Sequence, residues 1–260
     1  MIAVLFMRTS RGVRQTASGA VFISHARQIL LQYHRAQNEL WDIEDMKGGQ
    51  IEIGISTFRG TYLLPKVLKR FHEFYPNIHV EITELDSVAL EDRIQEGLLD
   101  IAVIALPAVK LKNDVDFLLR DEIHIVASKE HPVMEFARPA GSNPEHRWIA
   151  LEDAARFEFI MGSPQTALGK IARREFRKHD LKPFSRNTNV TASFAAAMAR
   201  EGIGLALTYH SCIVPDEDAE YLSIGEDGVF LDLALTYPAG EYRSKATRVL
   251  GRLMHAMCRT

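Results

Sequence analysis

IEIGISTFRGTYLLPKVLKRFHEFYPNIHVEITE, residues 51–84, changes its period twice. Ile51, Ile53 and Ile55 alternate with Glu52 and Gly54, the two-residue period of a strand. Leu64, Val67, Leu68, Phe71 and Phe74 then recur at steps of three and four, which predicts a helix with one apolar face. IHVEITE returns to alternation. Downstream, SVALEDRIQEG predicts a helix ending at Gly97, and DIAVIA a short apolar strand of the kind buried on both faces. The succession β-α-β-α-β predicts a doubly wound sheet. FLLRDEIHIVAS, from Phe117 to Ser128, reads as a longer strand.

A loop rich in Pro and Gly follows, from His131 to Trp148, and a second α/β set begins after it. LEDAARF, ALGKIARREFRKHD and SFAAAMAREG predict helices, while FEFIMG, SRNTNV, IGLALTY and VFLDLALTYP predict strands. SKATRVLGRLMHAM predicts a closing helix with Val249, Leu250, Leu253 and Met257 inward. The order implies two similar α/β lobes, the last strand and helix returning to the first. Lobe I would comprise residues 48–124 and 229–260, and lobe II residues 125–228. The cleft between two such lobes is a usual place for a small ligand.

Upstream of residue 51, Thr16 is a good helix N-cap and Lys47-Gly48-Gly49 a good stop. Between them Phe22, Ala26, Ile29, Tyr33, Ala36, Leu40 and Ile43 alternate steps of four and three, the seam of a coiled coil. Such a stripe needs cover, from a second copy or from the chain's own body. The strict heptad spacing favours self-association. No Asp or Glu occurs from Met1 to Asn38, where Arg8, Arg11, Arg14, Arg27 and Arg35 all lie. The overall net charge of -3 hides this local basic patch.

The remaining composition excludes more than it selects. With 260 residues, 47% of them hydrophobic and 25% charged, the chain can build a sizeable core. No apolar run reaches the length of a membrane span, and Met1–Phe6 is too short for the apolar core of a secretory signal. Cys212 and Cys258 lie far apart without metal-ligand spacing. A reducing, cytoplasmic setting is expected. GIGLAL at Gly202 precedes a strand and lacks a third glycine, so it is no dinucleotide loop. HEFYP lacks a second His, and neither GISTF nor MGSPQ forms a nucleophile elbow. Enzyme chemistry, a metal and a cofactor are therefore not expected.

The positive signals lie at strand ends. Ser56, Thr57, Arg59, Gly60 and Thr61 sit where the first strand turns into a helix, and Ser163, Gln165 and Thr166 precede a helix of the second lobe. Free N–H groups at a helix N-terminus suit a carboxylate, sulfate or phosphate. The same residues also serve as ordinary helix caps. Two matching clusters facing one cleft favour a ligand.

With these pieces placed, LFMRTSRGVRQTASG (residues 5–19) resembles the end of the DNA-binding module of LysR-type transcriptional regulators. In that family a winged helix-turn-helix closes with a pattern like L-F-x-R-x-x-R-G-V-x-L-T-x-A-G. Leu5, Phe6, Arg8, Arg11, Gly12, Val13, Thr16 and Gly19 match it, while Gln15 and Ser18 depart mildly. The resemblance continues through GQIEIGIS, LLPKVLKRFHEFYPNIHVEI, GLLDIAVI, HIVASKEHP and REGIGLAL, essentially the whole chain. It implies a wing remnant at residues 1–16, a linker and dimerisation helix at 17–47, and a bilobal domain like the type 2 periplasmic binding proteins. The family's recognition helix precedes the wing. A member shortened at its N-terminus is therefore expected, binding DNA weakly and without sequence preference.

The resemblance also implies roles for particular residues. Arg8, Arg11 and Arg14 would contact the DNA backbone, and the seam would pair homodimers or homotetramers. Ser56, Thr57, Phe58, Arg59, Ala105, Leu106, Ser163, Gln165, Thr166 and Thr191 would surround a small effector. Phe58, Ala105 and Leu106 make one wall apolar, which suits an organic acid with an apolar part better than an inorganic anion. The peroxide-sensing members use a cysteine pair in lobe II, where only Cys212 lies, so no redox switch is expected. The alternative is a solute-binding protein of the same bilobal fold that binds no DNA.

Overall fold

The computed structural model describes residues 3–10, 12–43, 48–111, 115–141, 143–240 and 242–258, with backbone only at 31, 35 and 143–145. The expectations for Arg11 and Lys47 fall outside these residues. In chain order the elements are β1 (Phe6–Thr9), β2 (Gly12–Gln15), α1 (Ala17–Ile43), β3 (Gly49–Ile55), α2 (Thr57–Phe74), β4 (Ile78–Glu84), α3 (Ser87–Gln95) and β5 (Ile101–Ala105). There follow β6 (Val115–Ser128), β7 (Arg138–Ala140), β8 (Asn143–Ile149), α4 (Leu151–Ala154), β9 (Glu158–Gly162), α5 (Ala167–Lys178) and β10 (Phe184–Val190). The chain closes with α6 (Ala192–Arg200), β11 (Ala206–Tyr209), β12 (Ala219–Ile224), β13 (Val229–Thr236) and α7 (Lys245–Cys258).

Strands β4-β3-β5-β13-β6 form one half of a continuous sheet, and β6 carries it on through β12, β8 and β7, with β11 also pairing β6. Strand β6 is thus shared. Its residues 115–123 pair β13, and its residues 123–126 pair β11. Ile123 is opposite both Val229 and Tyr209, so the strand changes partners there. β9 and β10 pair in parallel and join the second half through a bridge from Phe159 to Leu205. The fold is bilobal, and one apolar core containing Ile53, Phe71, Ile123, Phe159, Phe176 and Leu250 runs through both halves.

α2 forms as its periodicity requires, with Leu64, Val67 and Phe71 buried. Phe74, expected inward, is exposed in the last turn, where the Arg70 guanidinium lies 4.5 Å from its ring centroid. The stretch read as a loop from His131 to Trp148 holds a 3-10 turn at Pro132–Phe136 and the antiparallel pair β7–β8. Arg147 donates to the carbonyls of Met134 and Ala137, tying that turn to the pair. β12 was not expected: its AEYLSI pattern is short and lies beside acidic loop residues.

The 27 residues of α1 rise about 40 Å at 1.5 Å each. Thr16 caps it as expected, accepting from the Gly19 amide at 2.9 Å and donating to the Val4 carbonyl at 2.6 Å. A Cβ on Gly19 would meet the Leu5 carbonyl oxygen at 1.9 Å, so the crossing of chain over helix requires glycine. The helix touches its own body mainly through polar contacts. Arg27 pairs with Glu96 at 3.0 Å, and Asp42 accepts from the Lys245 amide and the Tyr242 hydroxyl. Between these points it stands off, leaving a cavity of about 490 Å³ lined by residues including His34, Trp41 and Arg93. The seam does not face this cavity. Phe22, Ile29, Tyr33, Leu40 and Ile43 are all exposed, Ile43 to 78%.

Candidate functional site

Strand direction decides where the cleft lies. β3, β4 and β5 are parallel, so Ile55, Glu84 and Ala105 end at one edge, and α2 and α3 begin there. β9 and β10 end together at Gly162 and Val190, from which α5 and α6 begin. β6 leaves the first half beside the end of β5. β11 and β9 run back toward the same point. Both sets of strand ends therefore border the gap that β6 crosses near Ile123, the position where open α/β sheets bind ligands.

Each expected residue can now be placed. Thr166 and Thr191 are N-caps, accepting from the amides of Gly169 at 3.1 Å and Phe194 at 3.3 Å. Ser163 accepts from the Gln165 amide at 3.3 Å, and Gln165 itself is exposed. Gly169 could carry no side chain, because a Cβ would lie 1.9 Å from the Ser163 carbonyl oxygen. Ala105 and Leu106 are half-buried. Their amides donate to Ser87 Oγ at 3.1 Å and to the Asp232 carbonyl at 2.8 Å. Ser56 stands at the N-cap of α2 with extended backbone, yet its side chain makes no capping bond. That separates α2 from α3, α5 and α6, whose caps Asp86, Thr166 and Thr191 are all engaged. Thr57 is exposed and Phe58 half-buried.

Arg59 differs from the rest. It is only 3% exposed, and its Nε and Nη2 have no hydrogen-bond partner. Its guanidinium carbon lies 3.7 Å from the Tyr209 ring centroid, and Nε is 3.8 Å from Asp121 Oδ2. Asp121 accepts instead from the Ser211 amide at 2.9 Å and the Ser211 hydroxyl at 2.6 Å. Burial pushes the Tyr209 hydroxyl above its ordinary range, with Asp121 adding to it and Arg59 opposing.

The opposite face of β6 carries a second polar group. Ser223 Oγ donates to Glu122 Oε1 at 2.6 Å and meets His146 Nε2 at 3.0 Å. His124 is 2% exposed, its ring tilted against that of His210 and edge-on to that of His146; neither of its nitrogens makes a hydrogen bond, and Nε2 lies 3.6 Å from Glu122 Oε2. Among the described residues no three His, Cys, Asp or Glu side chains are placed to hold a metal ion. Asp121, Glu122, His124, Tyr209 and Ser211 were not singled out from the sequence. The available signal was RDEIHIV, where four polar residues, Arg120, Asp121, Glu122 and His124, interrupt an otherwise apolar strand. Burial pushes the Cys212 thiol up to about 12 and Cys258 up to about 11, so neither is a ready thiolate.

Arg8 and Arg14 lie on the β1–β2 hairpin, where Arg8 pairs Val13 and Met7 pairs Arg14. Paired residues share a face and successive ones alternate, so the two arginines point to opposite faces.

Residues 44–259 match the LysR substrate binding domain. The chain belongs to that family. The effector-binding domain of a LysR-type transcriptional regulator therefore occupies most of it. A probable RuBisCO transcriptional regulator of Thalassiosira pseudonana is 25% identical over 254 residues, covering 94% of this chain and 80% of that protein. Among solved structures, OxyR of Corynebacterium glutamicum superposes with a TM-score of 0.68 at 18% identity, over 98% of this chain and 77% of that one. The effector binding domain of QuiR in complex with shikimate matches with a TM-score of 0.62 at 16% identity, over 82% of this LysR-family chain and 98% of that chain. These likenesses agree with the bilobal fold. No described helix is long and apolar enough to cross a membrane.

Proposed function

We propose that this LysR-family chain senses an organic acid with an apolar part, bound between its lobes, and performs no catalytic step. Lobe I takes residues 48–124 and 229–260 and lobe II residues 125–228, a division supported by the change of β6 partners at Ile123. Ser56, Thr57, Phe58, Arg59, Ala105 and Leu106 form one wall, and Ser163, Gln165, Thr166 and Thr191 the other. The observation that carries this reading is Arg59. It is a buried guanidinium with two unspent donors, in the first turn of a helix whose N-cap side chain is also unspent. An acceptor group in the cleft would satisfy both.

A thermal-shift panel of carboxylates, including benzoate and shikimate, with their neutral alcohol and amide analogues tests the class. Stabilisation is expected from carboxylates, and stabilisation by neutral analogues alone refutes it. For a ligand so found, Arg59→Ala should weaken binding at least tenfold by calorimetry, about 1.4 kcal/mol. Equal affinity removes Arg59 from the site.

The exposed seam of α1 supports assembly as a homodimer or homotetramer in a cytoplasmic regulator of promoter DNA. Arg8, Arg11 and Arg14 would serve as backbone contacts, the opposed faces of Arg8 and Arg14 suiting phosphates on two sides of the hairpin. By light scattering, Leu40→Asp or Tyr33→Asp is expected to reduce the mass to that of a monomer. Unchanged mass in both variants refutes pairing through α1, and a monomeric parent protein favours the solute-binding alternative.

A further inference from the structure

Among the described residues, three buried side chains keep polar atoms without a hydrogen-bond partner: Arg59, His124 and Thr236. Two of them flank Ile123, where β6 passes from one lobe to the other. An unpartnered buried donor is costly, so a fold retains one only where other contacts hold it. For Arg59 those contacts can be named. Its guanidinium carbon sits over the Tyr209 ring at 3.7 Å, and the Phe58 ring lies 5.9 Å from the same ring. Tyr209 ends β11 and is itself 2% exposed, opposite Ile123. Residues of α2 in the first lobe thus grip one ring at the edge of the second.

The nature of the grip matters. Asp121 supplies charge to Arg59 at 3.8 Å but commits both oxygens to Ser211. Arg59 is therefore held chiefly by its place over the ring and by Coulomb attraction, with a polar interaction with the Tyr209 hydroxyl beside them. The first is strong when desolvated and falls steeply once ring and cation separate. At Nε and Nη2 no hydrogen bond has to break on release, because none is made. Water entering an opened cleft would satisfy both nitrogens at once.

We propose that Arg59 and Tyr209 form a latch across the hinge, which holds α2 against β11 and sets the angle between the lobes. The latch rests on its own contacts and does not depend on what the cleft binds. Closed, it hides the guanidinium. Open, it frees the first turn of α2 from the second lobe.

The test uses the full chain without ligand. Nitroxide labels are placed at exposed Lys69 on α2 and Lys182 beyond α5, both changed to cysteine, in a Cys258→Ser background. Electron–electron resonance then reads the distance between the lobes, while hydrogen exchange follows residues 209–212. Tyr209→Leu is expected to broaden and lengthen the distance distribution and to speed exchange there at least tenfold. Tyr209→Phe keeps the ring and loses only the hydroxyl, so it should stay far closer to the parent than Tyr209→Leu does. Should Tyr209→Leu fail to fold, Arg59→Met, which keeps an apolar stem and removes the guanidinium, is expected to give the same opening. An unchanged distance distribution with faster exchange would mean packing alone and overturn the latch. So would a Tyr209→Phe protein as open as Tyr209→Leu, or an Arg59→Met protein identical to the parent.

Discussion

Replacing Glu91 by alanine should destabilise the protein by about 4 kcal/mol, the sum of several orphaned amides at about 1–3 kcal/mol each, trimmed by some water access. Glu91 lies on the inner face of α3 and is fully buried. Its carboxylate accepts from three consecutive amides, those of Val109 at 3.0 Å, Lys110 at 2.5 Å and Leu111 at 3.1 Å. These amides belong to the segment that follows β5 and Leu106, at the border of the cleft. Leu90 and Ile94 beside it on α3 are apolar and buried, and the helix's other polar contacts to this segment, from Asp92 and Gln95, reach the Lys110 ammonium and carbonyl rather than these amides. Glu91→Gln keeps one carbonyl oxygen but turns an amide donor toward donors, so it should recover only part of the loss. Urea denaturation of the three proteins measures this. A Glu91→Ala protein within 1 kcal/mol of the parent would show that the segment is held by other means. Hydrogen exchange at residues 109–111 should rise in the same variant, since the carboxylate is what fixes those amides.

What the sequence disclosed follows from range. Ile51, Ile53 and Ile55 announce a strand because each side chain's burial depends only on alternation, and all three are fully buried. Leu64, Val67 and Phe71 do the same for α2. Phe74 failed because periodicity cannot tell where a helix outruns the sheet beneath it. The caps at Thr16, Thr166 and Thr191 were legible, being bonds to amides three residues away. The surroundings of Arg59 were not. Asp121 and Tyr209 reach it only after the chain has built both halves of the sheet, so nothing near Arg59 in the sequence told that the residue read as an effector contact is also a buried cation over a ring. Glu91 was hidden similarly, since one acid on a helix reads as solvated until the segment beyond β5 folds over it. The two faces of β6 were half legible. Asp121, Glu122 and His124 break its apolar run, but which face each serves depends on strands that pair much later.

His124 should make the protein lose stability on mild acidification, before its carboxylates titrate. The ring is buried between Thr208 and Ser223, its cross-strand neighbours on β11 and β12. Burial pushes its pKa from 6.5 down to about 4; Glu122 pulls upward, and His210 and His146 push further down. Well above pH 6.5 the ring is neutral whether the chain is folded or unfolded, and it contributes no pH dependence. Between pH 6.5 and 4 the unfolded chain takes up a proton that the native ring refuses, so stability falls as pH falls. The loss is on the order of 1 kcal/mol at pH 5.5 and grows to a few kcal/mol near pH 4, below which both states are protonated. His124→Leu removes the titrating group together with its two unpartnered nitrogens. It should therefore be no less stable than the parent at pH 7 and lose less than half as much between pH 7 and 5.5. Parallel stability-against-pH curves for parent and variant would place the acid sensitivity elsewhere. The comparison stops at pH 5.5 because the exposed carboxylates remain ionised there. Histidines away from this cluster, including His131, whose burial also lowers its pKa, are common to both proteins and cancel in the difference.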